Sequence, residues 1–270
     1  MRWPVLALVV VAVARPAGAA DLQPETVAAF DRYVRVSEAR MSDAAQPFLW
    51  MDSQPASGRR DAMATLRSGG FVIDRLQTRD GGHDIEVPDG LIHHWVGVVF
   101  VPGGTVDAAL ALLQDYDRHD EIYQPNVARS ALRSRDGNRF SVSLRFFMKK
   151  AITVVVNSEH EAIFTRHSPD RASSRIRSTR IAEVESPDTS SERELPVGLD
   201  GGYLWRLNSY WRVQQRDGGV YIQCESITLT RGIPFGLGWI VKPFVTSIPR
   251  ETLAFTLDTT RRTLTARSPS

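Results

Sequence analysis

The chain has a single cysteine, Cys224, so no disulfide can form within it. Catalytic signatures are missing too: there is no G-x-S-x-G elbow, no phosphate-binding loop and no H-E-x-x-H zinc site. Gly236 and Gly238 supply only a fragment of a dinucleotide fingerprint. Nor is there an excess of charge of one sign. Beyond residues 1–20, which carry Arg2 and Arg15 and no acid, basic and acidic residues balance at 31 each. A neutral chain offers no electrostatic case for nucleic acid or an anionic membrane surface. Past the N-terminus, no apolar run approaches the roughly 20 residues that span a bilayer. Stability must come from a core, and the chain is long enough to bury one or two.

The first residues, MRWPVLALVVVAVARPAGAA, join a positive start, a short apolar run and small residues before Asp21. This is the pattern of a secretory signal peptide over 1–20, cut after Ala19 or Ala20, which predicts a periplasmic or secreted protein. Residues 21–90 read as a mostly helical extension. A helix is expected over 24–45, with Pro24 in its first turn and Val27, Phe30, Val34, Ser37 and Met41 on one stripe. A second is expected over 59–67, stopped by Gly69 and Gly70, followed by a strand over 71–77 and a polar, turn-rich boundary over 78–90.

From residue 91 the pattern is dominated by strands. Residues 92–101 are apolar on both parities, as in a strand covered on both faces. Thr105 is a helix N-cap candidate, with Val106, Ala109, Leu110 and Leu113 on one stripe, and a short helix is expected over 117–123. Alternation then places Phe140, Val142, Leu144, Phe146 and Met148 on one face, and Val154, Val156, Ala162 and Phe164 on another, with Ser158 and His160 among them. The turns RDGN (135–138) and RDGG (216–219) mark hairpins. A two-residue turn in the second puts Trp211 and Val213 beside Ile222 and Cys224, and brings Arg212 near Glu225 on the opposite face. A polar loop, 186–202, is long enough to be a gate, with the Gly/Pro-rich 232–238 as its hinge. A C-terminal helix is expected over 247–264, with Pro249 in its first turn, and Leu253, Leu257, Thr260 and Leu264 at helical spacing.

Strand, two short helices, antiparallel strands and a long last helix make the helix-grip order. Together with the stretch WRV…GGVYIQCESITLTRGIP (211–234), this resembles the START/Bet v 1-like superfamily, including its polyketide cyclase/dehydratase-like bacterial members. The resemblance covers about two-thirds of the chain, over 91–270, and leaves 21–90 unexplained. It implies an α+β fold: a curved antiparallel sheet wrapped around the C-terminal helix, with a cavity between them for a hydrophobic small molecule such as a lipid, sterol-like compound, quinone or polyketide.

The ligand-facing set expected on that basis is Phe140, Leu144, Phe146, Val154, Val156, Trp205 and Trp211, with His160, Arg180 and Ser209 as polar anchors. Cys224, Leu253 and Leu257 complete it, and Trp239 and Phe244, with Phe235, would form the mouth. Apolar lining with a few directional polar groups is the makeup of a ligand pocket. The same pattern also fits a filled core with polar groups at its rim. Arg171, Arg175 and Arg177 read as an outward charged face, whereas Arg180 has the opposite parity. His93 and His94 are adjacent in a strand and cannot share a metal. Asp115 and His119 have i, i+4 spacing but no third ligand, so they read as a solvated helix end. No metal and no cofactor is expected. Three functions remain open at this level: a carrier or sensor of a hydrophobic molecule, an aromatase/cyclase-like enzyme using His160 or Arg180, and an envelope-assembly protein that docks a partner through 21–90.

Overall fold

The computed structural model describes residues 20–149, 153–232 and 238–267, with backbone alone for residue 20 and for 238–246. Residues 1–19 of the expected signal segment and 233–237 of the expected hinge, Phe235 among them, lie outside the described residues, as do the side chains of Trp239 and Phe244. In chain order the elements begin with β1 (Ala20–Asp21), α1 (Pro24–Ser42), α2 (Ala56–Arg67), β2 (Phe71–Arg75), β3 (Arg79–Asp80) and β4 (His83–Asp84). The chain continues with β5 (Gly90–Pro102), α3 (Val106–Leu113), α4 (His119–Ile122), β6 (Val127–Asp136), β7 (Arg139–Lys149), β8 (Thr153–Ser168) and β9 (Arg171–Glu185). It ends with β10 (Arg193–Glu194), β11 (Leu199–Asp200), β12 (Arg206–Arg216), β13 (Gly219–Arg231) and α5 (Gly238–Arg267).

The main sheet has nine antiparallel strands in the order β2-β5-β13-β12-β9-β8-β7-β6, with β10 added along β9. It is the helix-grip arrangement: α3, α4 and α5 cover its inner face, and α1 and α2 cover part of its outer face. Among the described residues, no helix is long and apolar enough to cross a membrane.

Local chemistry explains most elements. Pro24 starts α1, where its missing N–H costs nothing. The α1 stripe of Phe30, Tyr33, Val34 and Ser37 is buried against the sheet's outer face, beside Ile227 and Leu229. The Thr105 hydroxyl caps α3 by accepting from the Ala108 amide at 3.1 Å. The β12–β13 hairpin closes through two residues, Asp217 and Gly218, both at positive φ, so Trp211 pairs with Cys224 and Val213 with Ile222. Arg212 does lie on the opposite face, but it donates to the carbonyls of Met41 and Phe48 at 2.6 and 2.7 Å rather than to Glu225.

The last helix is longer than the sequence pattern suggests. It begins at Gly238, so Pro249 stands in its interior instead of its first turn. There the ring removes one helical hydrogen bond, a cost that tertiary packing must offset. Gly97 is what lets α5 lie close against β5: a Cβ there would come within 2.5 Å of the Leu257 Cδ1. The loop 186–202 also departs from expectation. Arg145, 5% exposed, grips Glu192 with two bonds of 2.8 and 2.9 Å, β10 pairs with β9, and β11 pairs with β1. It is strapped to the outer side of the sheet, away from the inner cavity.

Candidate functional site

Between the inner face of the sheet and α5 lies a cavity of about 210 Å³. Strand parity builds it. Val142, Leu144, Phe146 and Met148 come from alternate positions of β7, and His160 from β8. Ile176 comes from β9, Leu207, Ser209 and Trp211 from β12, and Cys224, Ser226, Thr228 and Thr230 from β13. The helical side supplies Leu113, Tyr116, His119 and Tyr123 below, and Ile248, Pro249, Thr252, Leu253 and Thr256 from α5. Among the described residues, no Asp, Glu, Lys or Arg lines it.

Of the residues expected to face a ligand, Leu144, Phe146, His160, Ser209, Trp211, Cys224 and Leu253 line this cavity. Phe140 faces inward too, but it is packed between Tyr116 and Phe164, with ring centroids 5.8 and 5.3 Å away. Val154 and Val156 belong to a separate small core with Ile181, and Leu257 is sealed in the main core over Gly97. These four are packing residues beside the site.

Two positions lie on the wrong side of the sheet for a ligand contact, each for a local backbone reason. Arg180 was expected inward because its parity is opposite to that of Arg175 and Arg177. A bulge at Thr179 changes the count: Glu159 pairs with Arg180 while His160 pairs with Ser178. One extra residue reverses the alternation. Arg180 therefore joins Arg175 and Arg177 on the outer face, where it pairs with Glu194, while those two meet Glu38 of α1. Trp205 shares odd numbering with Trp211 but precedes the first residue of β12. It turns outward into the cluster of Phe30, Tyr33 and Ile227, and its indole N–H donates to Asp200 at 3.0 Å.

Tyr116, Thr228, Thr252 and Thr256 were not singled out from sequence. The charged run around Tyr116 and His119 reads as solvated, yet both are buried, and His119 bonds the Leu112 carbonyl at 3.3 Å. The signal that was available is helical spacing, which sets Tyr116 three residues after Leu113 on the inward stripe. Among the described residues, no group of three metal-binding side chains exists, and Asp115 turns instead toward Arg118.

The electrostatics of the cavity are those of a dry site. Burial lowers His119 and His160 to about 4, so both are neutral through the physiological range. Burial raises the Tyr116 and Tyr123 hydroxyls and the Cys224 thiol well above their ordinary values, so none ionises. The Tyr123 hydroxyl is satisfied by Thr260 at 3.0 Å. Three others are not: among the described residues, the Tyr116 Oη, the His160 Nδ1 and the Thr228 Oγ1 are buried with no hydrogen-bond partner. Five more such atoms, on Ser174, Glu183, Asp200, Arg216 and Arg261, lie off the cavity lining; the three on residues that line it are the ones within reach of a ligand's wall contacts.

No family model matches the chain, and no curated protein does either. Solved structures do. A STAR-related lipid transfer protein from Xanthomonas axonopodis is 16% identical, with 70% of this chain and 98% of that one covered, at a TM-score of 0.44. The Zhui aromatase/cyclase from Streptomyces sp. R1128 is 10% identical, with 67% and 98% covered, at 0.45. Human STARD10 is 9% identical, with 77% and 80% covered, at 0.44. This likeness is too distant to carry an argument about ligand or chemistry. The strand order, register and helix placement establish the helix-grip architecture by themselves, and that is the architecture of START/Bet v 1-like proteins.

Proposed function

We propose that this protein binds a hydrophobic small molecule in the cavity between the sheet and α5, and acts as its carrier or sensor. The single observation that carries this reading is the cavity itself: apolar walls, uncharged among the described residues, with isolated polar atoms left without protein partners. A cavity of about 150 Å³ lined by aliphatic and aromatic groups takes up benzene. At about 210 Å³ this one has room for a compact one- or two-ring body. Among its lining residues Tyr203 is exposed and Leu204, Ile248 and Pro249 are half-buried, and we take that side as the way in. With the loop 186–202 strapped outside, Tyr203 and Leu204 take the place of that loop as the gate.

We further propose that the carrier is exported, on the strength of the leader-like residues 1–20. The enzyme reading loses one of its two candidate groups, because Arg180 is outside the cavity.

The binding reading is tested with prodan, a neutral two-ring naphthalene probe whose emission moves to the blue and strengthens on leaving water. Saturable uptake at one probe per chain is expected. Filling the cavity with Ser209→Phe should abolish uptake and leave the melting temperature unchanged or raised. Equal uptake by both proteins, or none by either, contradicts the reading.

A further inference from the structure

His160 sits on the inner face of β8, 2% exposed, with its ring edge-on to Phe146. A short chain of hydrogen bonds determines which of its nitrogens carries the proton. The Ser158 hydroxyl donates to the Leu144 carbonyl at 3.1 Å, so its oxygen is left as an acceptor. With the Ser158 proton on that carbonyl, the His160 Nε2, 2.9 Å from the same oxygen, donates to it, and this is the tautomer the inference uses. The Nδ1 is left as a bare lone pair, buried and unpartnered among the described residues, on a residue that lines the cavity. A lone pair in that setting can accept a hydrogen bond but cannot donate one or balance a negative charge. The Tyr116 hydroxyl, also unpartnered, supplies a donor elsewhere in the same wall.

The geometry points to a ligand class: a compact, uncharged ring compound whose O–H or N–H donates to the His160 Nδ1. This deepens the binding reading and rests on it. Against the described wall an ionised carboxylate or phosphate meets a lone pair and no cation, which disfavours it relative to the neutral compound. An ammonium is disfavoured as well, since the described wall holds no carboxylate to pair with it.

Three probes of one shape separate the contributions: 2-naphthol, naphthalene and 2-naphthoate, titrated calorimetrically into the full chain. 2-Naphthol should bind about 5-fold more tightly than naphthalene, and 2-naphthoate more weakly than both. The preference for naphthol should vanish in His160→Leu and return in His160→Gln, whose amide oxygen can again accept. A readout that needs no variant is the nitrogen spectrum of the protein carrying 15N-labelled histidine. Adding 2-naphthol should shift the His160 Nδ1 resonance upfield, and naphthalene should not. Equal affinity for naphthol and naphthalene overturns the inference while leaving the binding reading intact. So does an Nδ1 resonance that no probe moves. If none of the three probes binds, the binding reading falls and takes the inference with it.

Discussion

The two faces of the sheet bury histidines one way and the other. On the outer face, under α1, His94 is 1% exposed and both of its ring nitrogens are engaged: Nδ1 with the Tyr33 hydroxyl at 3.0 Å, Nε2 with Glu225 at 2.8 Å. Glu225 also meets Arg40, and Glu38 joins Arg177 and the Tyr210 hydroxyl. On the inner face, His160 is just as buried, yet one nitrogen has no described protein partner. Charges are plentiful and paired outside, and absent from the described cavity wall inside. The difference teaches how to sort buried polar groups. A network that closes on itself holds α1 to the sheet; unpaired polar atoms on residues that line a cavity are the candidates to meet something that enters it.

The largest expected effect breaks the outer network. Glu225→Ala leaves His94 and Arg40 without their shared partner and should cost about 3–5 kcal/mol in urea unfolding, the usual penalty for dismantling a buried pair. A loss under 1 kcal/mol would mean that the outer network is ornamental, and the contrast between the faces would collapse. Ligand uptake by whatever fraction stays folded should be unchanged.

The sequence showed much of this division and hid specific parts of it. Alternation in β7 and β8 put Val142, Leu144, Phe146 and His160 on one face, where they are. The two-residue turn correctly paired Trp211 with Cys224. Parity fails at Arg180 and Trp205 because it is a local count: one bulge at Thr179 and one twist before Arg206 reset it, and neither has a marker residue. The loop 186–202 looked free because its ties are distant in sequence, as Arg145 and Glu192 are 47 residues apart. Residues 20–90 present a similar problem. Their helices were visible, but nothing local says that Tyr33 and Glu38 reach across to β5, β9 and β12.

A second prediction uses pH to probe the inner face. Burial lowers His93, His119 and His160 from 6.5 to about 4. Between those values the unfolded chain binds more protons than the folded one, so stability falls as pH drops from 6.5 toward 4. Each histidine contributes a slope of about 1.4 kcal/mol per pH unit. His160→Gln removes one of the three, so at pH 5 it should lose about 2 kcal/mol less than the wild type loses relative to pH 7. Identical pH profiles for the two proteins would show that His160 is not held neutral by burial.

Smaller changes sharpen the outer side. The Tyr33 hydroxyl bonds His94 and accepts from the Thr78 amide at 2.8 Å, so Tyr33→Phe should cost about 1–2 kcal/mol and leave probe uptake unaltered. Arg180→Ala should cost under about 1 kcal/mol, because the pair with Glu194 is partly exposed, and should not affect uptake at all. Weakened uptake in Arg180→Ala would place this side chain in the binding path and reverse the assignment of faces.

The central claim is that the inner cavity is a ligand site. Its most direct test is native mass spectrometry of the protein purified gently from the cells that make it, followed by organic extraction. A single uncharged hydrophobic molecule, one per chain, present in the wild type and lost in Ser209→Phe, is the predicted result. A clean protein mass in both, with no uptake when lipids, quinones and hydroxylated aromatics are offered, would contradict it and return the inner face to the role of an imperfectly filled core.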